Sequence, residues 1–356
     1  MIRILIEDSY ADNNRFHRIL DGVSHIARKK RAEIKLYKKE SEIEDGCKVV
    51  ILICQSLKWS VDNVKALNLR NIHPLVFGFQ YLDTIYTYSS IAPNFTRSSY
   101  LITKYILSRR EGKIAVVGFN EDSLPDRLKL KGIEYAAREY GRELQVFENK
   151  GDVIKSVEDF AANSEGISNV VCVNDNIAVT IHQSYIQLLE GRSMCSCSGL
   201  KISEFFSTPY PVCRIDYYSA GVQLALLYFF LEKEEVTAST VVTFDIGFSL
   251  GKTALDISGN AFIEETEAYS RSEIDFFGDK ALLSMERLDR MLTDCDEIDI
   301  KILKDITENV TYSEIADKYY MNVNTVKYRL KKMLDTVGAA SKKELLEIIS
   351  AYGLSF

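Results

Sequence analysis

From residue 1 to about 255 the chain repeats one pattern, a short apolar run rich in β-branched residues and then an amphipathic helical stretch. Candidate strands lie at 2–6, 33–37, 48–54, 74–79, 113–119, 143–147, 169–173 and 241–244, with candidate helices between them at 16–30, 101–109, 127–140 and 220–232. Strand–helix alternation implies parallel α/β sheets joined by right-handed crossovers. One sheet does not comfortably hold so many strands, and the pattern predicts two α/β lobes.

The period changes further on. Over 273–292, Ile274, Phe277, Ala281, Met285, Leu288 and Leu292 recur at helical spacing, which reads as an amphipathic linker helix weakened by Gly278. Such a stripe either forms a dimer seam or packs on its own chain. At 311–334, Thr311 and Glu314 have capping-box spacing with Val310 and Ile315 as a hydrophobic staple, so a short helix should start at Tyr312 with Ile315, Ala316 and Tyr319 inward. Asn322 and Asn324 are good cap types for a second helix, whose Val326, Leu330, Met333 and Val337 form one apolar stripe. Its other face carries Asn324, Lys327, Tyr328 and Lys331, flanked by Arg329 and Lys332. A face bearing only positive and hydrogen-bonding groups suits a groove lined by phosphates, although a basic helix face is also often no more than a solvated surface.

The formal net charge of -7 confines any nucleic-acid contact to a local basic patch on an acidic body. Cys47, Cys54, Cys172, Cys195, Cys197, Cys213 and Cys295 are odd in number and scattered, as reduced thiols would be; Cys195 and Cys197 read as strand residues. Neither they nor His17, His25, His73 and His182 have metal-ligand spacing, so neither metal nor cofactor is expected. No apolar run is long enough for a membrane span, and MIRILIEDS is too short and too soon acidic for a signal peptide. A cytoplasmic location is expected, with no membrane partner.

The run YSEIADKYYMNVNTVKYRLKKMLDTVGAASKKELLEII resembles the LuxR-type helix-turn-helix domain of bacterial regulators over about the last sixty residues. That resemblance implies base-edge contacts from Lys327, Tyr328 and Lys331 and phosphate contacts from Asn324, Thr325 and Lys332 on double-stranded DNA. Arg329 stands where the family often has His. The family's last helix, here 341–351 with Leu345, Ile348 and Ile349, makes its dimer contact; the same residues serve equally to close the helical core.

A second resemblance covers about 250 residues. EGKIAVVGFNEDSLPDRLKLKGIEYAAREYGREL, then NVVCVNDNIAVTIHQSYIQ, then STPYPVCRIDYYSAGVQLALLYFF follow in order the effector-binding domain of the lactose-repressor family. It implies two Rossmann-like lobes of the periplasmic-binding-protein type, the first near 1–110 plus 213–238 and the second near 111–212 plus 239–257. A small polar effector such as a sugar would sit at the carboxyl ends of the strands. Asn120, Arg127, Asn174 and Asp175 are the effector-binding candidates, Arg127 through bidentate hydrogen bonds. Two alternatives stand beside these roles: Asp175 as cap of the following helix, and Arg127 as partner of Glu134 or Asp126. The family's acidic pair is absent from CSCSGLKIS, which puts a usual sugar ligand in question. Because the first strand follows Met1 directly, the DNA-reading task is expected at the other end.

Other classes fit less well. MIRILIEDSYADNNRFHRIL is similar to the start of a response-regulator receiver, but 49–53 ends in Cys54 and Gln55, where a receiver needs its phosphoacceptor aspartate. GFSLGKT at 247–253 has three residues between Gly247 and Gly251 instead of four, so it reads as a turn and not as a phosphate-binding loop. No catalytic constellation assembles, and an enzyme is not expected. A sigma-like factor lacks a promoter-melting region, and a solute-binding protein would lack a use for the basic helix. The expected organisation is a two-lobed effector-sensing domain at 1–268, a linker helix at 269–294 and a LuxR-type DNA-binding domain at 295–356, assembled as a homodimer.

Overall fold

The computed structural model describes residues 1–8, 14–54, 56–206, 210–233, 239–250 and 280–356. Two compact units divide the chain, Met1–Ser98 with Ile215–Gly247, and Ser99–Arg214 with Phe248–Phe356.

The first unit is built on a six-stranded sheet. Its strands β1 (Ile2–Ile6), β2 (Ile34–Tyr37), β3 (Val49–Ile53), β4 (His73–Phe77), β5 (Ser89–Pro93) and β11 (Val241–Phe244) lie in the order β11-β5-β4-β3-β1-β2. Every neighbouring pair is parallel, with Ile4 beside Ile51 and Ile51 beside Leu75. All five residues of β3 are buried, which is why VVILI needs no polar alternation. Helices α1 (Asn14–Lys30), α2 (Leu57–Asn68) and α7 (Tyr217–Lys233) belong to this unit. Helices α1 and α7 cross at Gly22 and Gly221, where a Cβ on either glycine would come within 2.1 Å of the opposing backbone oxygen of Tyr218 or Ile19. The glycines thus set how closely these helices approach.

The second unit repeats the plan. Strands β6 (Lys113–Phe119), β7 (Leu144–Glu148), β8 (Ile167–Cys172), β9 (Ser193–Ser196), β10 (Pro211–Arg214) and β12 (Gly247–Leu250) have the order β12-β10-β9-β8-β6-β7, with β7, β6, β8, β9 and β10 mutually parallel. Helices α4 (Leu124–Glu139), α5 (Val153–Ala162) and α6 (Asp175–Ser184) accompany it, and α3 (Phe95–Leu107) carries the chain in from the first unit. Both sheets therefore have the strand order of a doubly wound fold, and two Rossmann-like lobes of mostly parallel strands are present as expected.

Three details differ from expectation. Segment 239–257 does not go to the second lobe as a whole, because β11 pairs with β5 in the first sheet and only β12 joins the second. Gly247–Leu250, read as a turn, is a strand; the rest of GFSLGKT lies outside the described residues. Strand β5 and the short strands β9 and β10 lacked a sequence signal, apart from Cys195, which lies in β9 as expected while Cys197 falls just beyond it.

Helices α8 (Lys280–Asp294), α9 (Glu297–Thr307), α10 (Tyr312–Lys318), α11 (Val323–Val337) and α12 (Lys342–Ala351) follow. Ile274, Phe277 and Gly278 of the expected linker helix lie outside the described residues. Met285, Leu288 and Leu292 are buried in the chain itself, so this stripe is core and not an open dimer seam. Leu345 and Ile349 are buried likewise, leaving Ile348 of that trio half-buried. Among the described residues no helix is long and apolar enough to cross a membrane.

Candidate functional site

Local chemistry places α10 and α11 where their sequence predicts. Thr311 caps α10 reciprocally with Glu314: the Glu314 N–H donates to Thr311 Oγ1 at 3.4 Å, and the Thr311 N–H to Glu314 Oε2 at 2.9 Å. Ile315 and Ala316 are buried and Tyr319 is half-buried. Tyr320 turns the chain with a positive φ of 52° and is 98% exposed. Asn322, not Asn324, caps α11, its side chain accepting from the Asn324 N–H at 2.8 Å. The helix closes at Gly338 in the left-handed conformation. Val326, Leu330, Met333 and Val337 form its buried face.

On the opposite face, Asn324, Thr325, Lys327, Tyr328, Lys331 and Lys332 are all exposed. Lys327, Lys331 and Lys332 have no ion-pair partner among the described residues. Arg329 differs. Its guanidinium lies 2.8 Å from Asp296 and 2.7 Å from Asp299, which together cap α9 and hold the arginine strongly protonated. It fastens α11 to α9 and is not a free cation for a phosphate. Tyr328, Lys331 and Lys332 border an open hollow of about 530 Å³ together with Arg290 and Asp294 of α8.

The effector candidates gather at the carboxyl ends of β6 and β8, beside the position where the strand order reverses. Asn120 follows β6, its Oδ1 accepting from the Asp122 N–H at 3.0 Å. With Glu121, Asp122, Ser123, Glu148 and Asn149 it lines a hollow of about 770 Å³. Asn149, which sequence reasoning missed, is buried there, and its Nδ2 has no partner among the described residues. Arg127 pairs with neither Glu134 nor Asp126; its guanidinium donates to the Glu121 carbonyl. Asp126 instead forms a buried pair with Lys129, whose Nζ is 3.1 Å from Asp126 Oδ1 and 3.0 Å from the Val173 carbonyl. Burial pushes the Asp126 carboxyl up despite that cation. Nothing in RLKLKG marked Lys129 as an interior lysine.

Asn174 and Asp175 have different tasks. Asn174 caps α6 through the Ile177 N–H at 3.2 Å, so Asp175 does not take the cap role considered for it. The Asn174 Nδ2 has no partner among the described residues. Asp175 is buried, accepting from the Leu200 N–H at 2.6 Å and the Tyr210 hydroxyl at 3.3 Å. Burial raises its pKa to about 7, against the lowering effect of the Leu200 N–H. Neither residue lines the hollow that contains Asn120. The seven cysteines are free thiols, six of them buried, and among the described residues no cluster suits a metal ion.

In sequence, no protein-family pattern and no curated protein matches the chain. In fold, the chain is similar to a LacI family transcriptional regulator from Enterococcus faecium with bound ribose, at 16% identity and a TM-score of 0.54 over 71% of this chain and 100% of that one. It is similar also to the Cra transcriptional dual regulator from Pseudomonas putida in complex with fructose 1-phosphate, at 12% identity and a TM-score of 0.54 over 70% and 98%. A LacI family transcriptional regulator from Enterococcus faecalis V583 with bound ribose matches at 14% identity with a TM-score of 0.54, over 72% and 100%. At these identities the likeness establishes the two-lobed fold.

Proposed function

We propose that this chain is a DNA-binding transcriptional regulator whose two-lobed part senses a small polar molecule and whose C-terminal helices read an operator as a LuxR-type helix-turn-helix. The observation that carries the reading is the exposed face of α11, with three lysines that have no ion-pair partner among the described residues, on a chain of net charge -7. Lys327, Tyr328 and Lys331 would meet base edges, and Asn324, Thr325 and Lys332 the backbone. In a homodimer, two such helices about 34 Å apart would fit a near-palindromic site. The sensor half draws support from fold neighbours crystallised with ribose or fructose 1-phosphate, and from Asn120 and Asn149 at one strand-end hollow. Arg127, Asn174 and Asp175 stay in the proposed effector region, Asp175 by shaping it and not by direct contact, since both of its oxygens already accept hydrogen bonds.

Gel retardation with fragments selected from a random duplex pool, using wild type and Lys327→Ala, tests the DNA half. Equal retention of the same duplexes by both would refute the role of α11. Thermal-shift titration with ribose and fructose 1-phosphate tests the sensor half, where a saturable rise in Tm is expected for a bound sugar.

A further inference from the structure

Residues 198–206 join the proposed sensor site to both ends of the C-terminal helical segment. Lys201–Phe205 forms a 3-10 turn in which Ile202, Ser203 and Phe205 are buried. Just before it, the Leu200 N–H donates to Asp175 at the carboxyl end of β8. Within it, the Ile202 N–H donates to Asp289 Oδ1 of α8 at 2.9 Å, and Asp289 is itself buried. At its far end, the Phe205 carbonyl accepts from the Ser355 N–H at 2.8 Å, and Phe206 forms an antiparallel bridge with Leu354. The rings of Phe205 and Phe356 lie 5.1 Å apart, and Phe206 stacks on His182 of α6 at 4.1 Å. Arg214 stiffens the turn, 2.6 Å from Glu204 and 3.5 Å from the Leu200 carbonyl.

The helical segment therefore hangs from one short turn at two places, through α8 near its start and through the chain end after α12. Helix α8 also packs directly on α11. A turn held by i to i+3 hydrogen bonds and by Arg214 moves as a body, so a shift of Leu200 relative to Asp175 carries Ile202 and Phe205 with it. We propose that residues 198–206 are the transmission element of this protein, coupling the state of the β8 strand end at Asp175 to the placement of α8, α11 and the chain end. Asp289 is then a positioning residue for the DNA-facing helix. The inference rests on the proposed function for its biological sense, but its physical content is a coupling that can be measured without DNA.

The experiment is peptide-resolved hydrogen exchange on the full chain, comparing wild type, Asp175→Ala, Asp289→Ala and the double variant. Removing the acceptor of a buried N–H should speed exchange at 198–206 about tenfold. Coupling predicts that Asp175→Ala also speeds exchange in 280–294 and 350–356, and that the double variant exceeds either single one by less than the product of the two. Tyr210→Phe, which removes the 3.3 Å hydroxyl contact to Asp175, should give the same pattern more weakly if Asp175→Ala fails to fold. Acceleration confined to 198–206, or effects that simply multiply, would overturn the proposal. Gel retardation of the same proteins separates the two ideas. Coupled exchange in a chain that retains no duplex keeps the transmission element and removes the regulator, whereas uncoupled exchange in a chain that retains DNA does the reverse.

Discussion

On the proposed reading of α11 as a DNA-facing helix, two neighbouring cations on it should behave in opposite ways. Arg329 and Lys332 differ little in sequence, yet Arg329 is held between Asp296 and Asp299 whereas Lys332 is exposed without an ion-pair partner among the described residues. Each phosphate neutralised contributes about 0.9 to the slope of log K against log salt on B-DNA. Lys332→Ala should therefore flatten the slope by about 0.9 per bound chain, so that between about 50 and 200 mM salt its affinity falls about 3.5-fold less than that of wild type. Arg329→Ala should leave the slope unchanged, because its charge is already balanced inside the protein. Its effect should appear in stability, about 1 kcal/mol after allowance for the partly exposed guanidinium, since Asp299 loses its cation. Fluorescence anisotropy on one selected duplex at four salt concentrations, with a urea titration alongside, measures both quantities. If Arg329→Ala flattens the slope as Lys332→Ala does and leaves unfolding unchanged, the assignment of Arg329 as an internal fastener is wrong.

Three further outcomes are expected. Gly221→Ala should lower the urea midpoint by an amount equivalent to about 3 kcal/mol, because its Cβ would lie 2.1 Å from the Ile19 carbonyl oxygen. Lys129→Met should cost about 3 kcal/mol by stranding the buried Asp126 carboxyl, and Asp126→Leu added to it should restore most of that loss in the same titration. Asp175 has a folded-state pKa of about 7 against an ordinary 3.8, so between those values the folded chain holds a proton that the unfolded chain has released. Its contribution is full below pH 4 and declines as pH rises toward 7, by up to roughly 4 kcal/mol, which the difference between wild-type and Asp175→Asn unfolding curves across that range should reveal.

What could be read from the residues follows from how strongly each segment advertises its environment. Strand β3 is an unbroken run of Ile, Leu and Val, and β1 and β6 are apolar apart from Arg3 and Lys113; nearly all of these residues are buried, as a parallel sheet covered on both faces requires. Strand β5 is equally buried but reads SSIAP. Ser89 belongs inside only because its hydroxyl meets His73 at 2.8 Å and the Thr240 N–H at 3.1 Å, partners supplied by distant segments. Strands β9 and β10 are four residues each, with small polar or sulfur side chains in the core, too short to establish a period. The helix starts at Thr311 and Asn322 were legible because capping is settled within three residues. The fates of Arg329 and Lys129 were not. Each is decided by a tertiary neighbour, Asp296 lying 33 positions from Arg329 and Val173 lying 44 from Lys129. The same limit applies to the Leu200 N–H that Asp175 accepts, a partner 25 positions away.

The way β11 completes the first sheet also governs how the protein can be made. As the chain is synthesised, residues for β1 to β5 emerge first, but the strand that covers the β5 edge and the helix that packs on α1 come only after the whole second sheet up to β10. Until then the nascent first lobe presents β5 with an open row of backbone donors and acceptors, the kind of edge that invites pairing with another chain. The second lobe has its five parallel strands in hand earlier. Truncations ending near residue 110 should therefore aggregate, and a soluble first lobe should require 215–247 to be grafted back through a short linker.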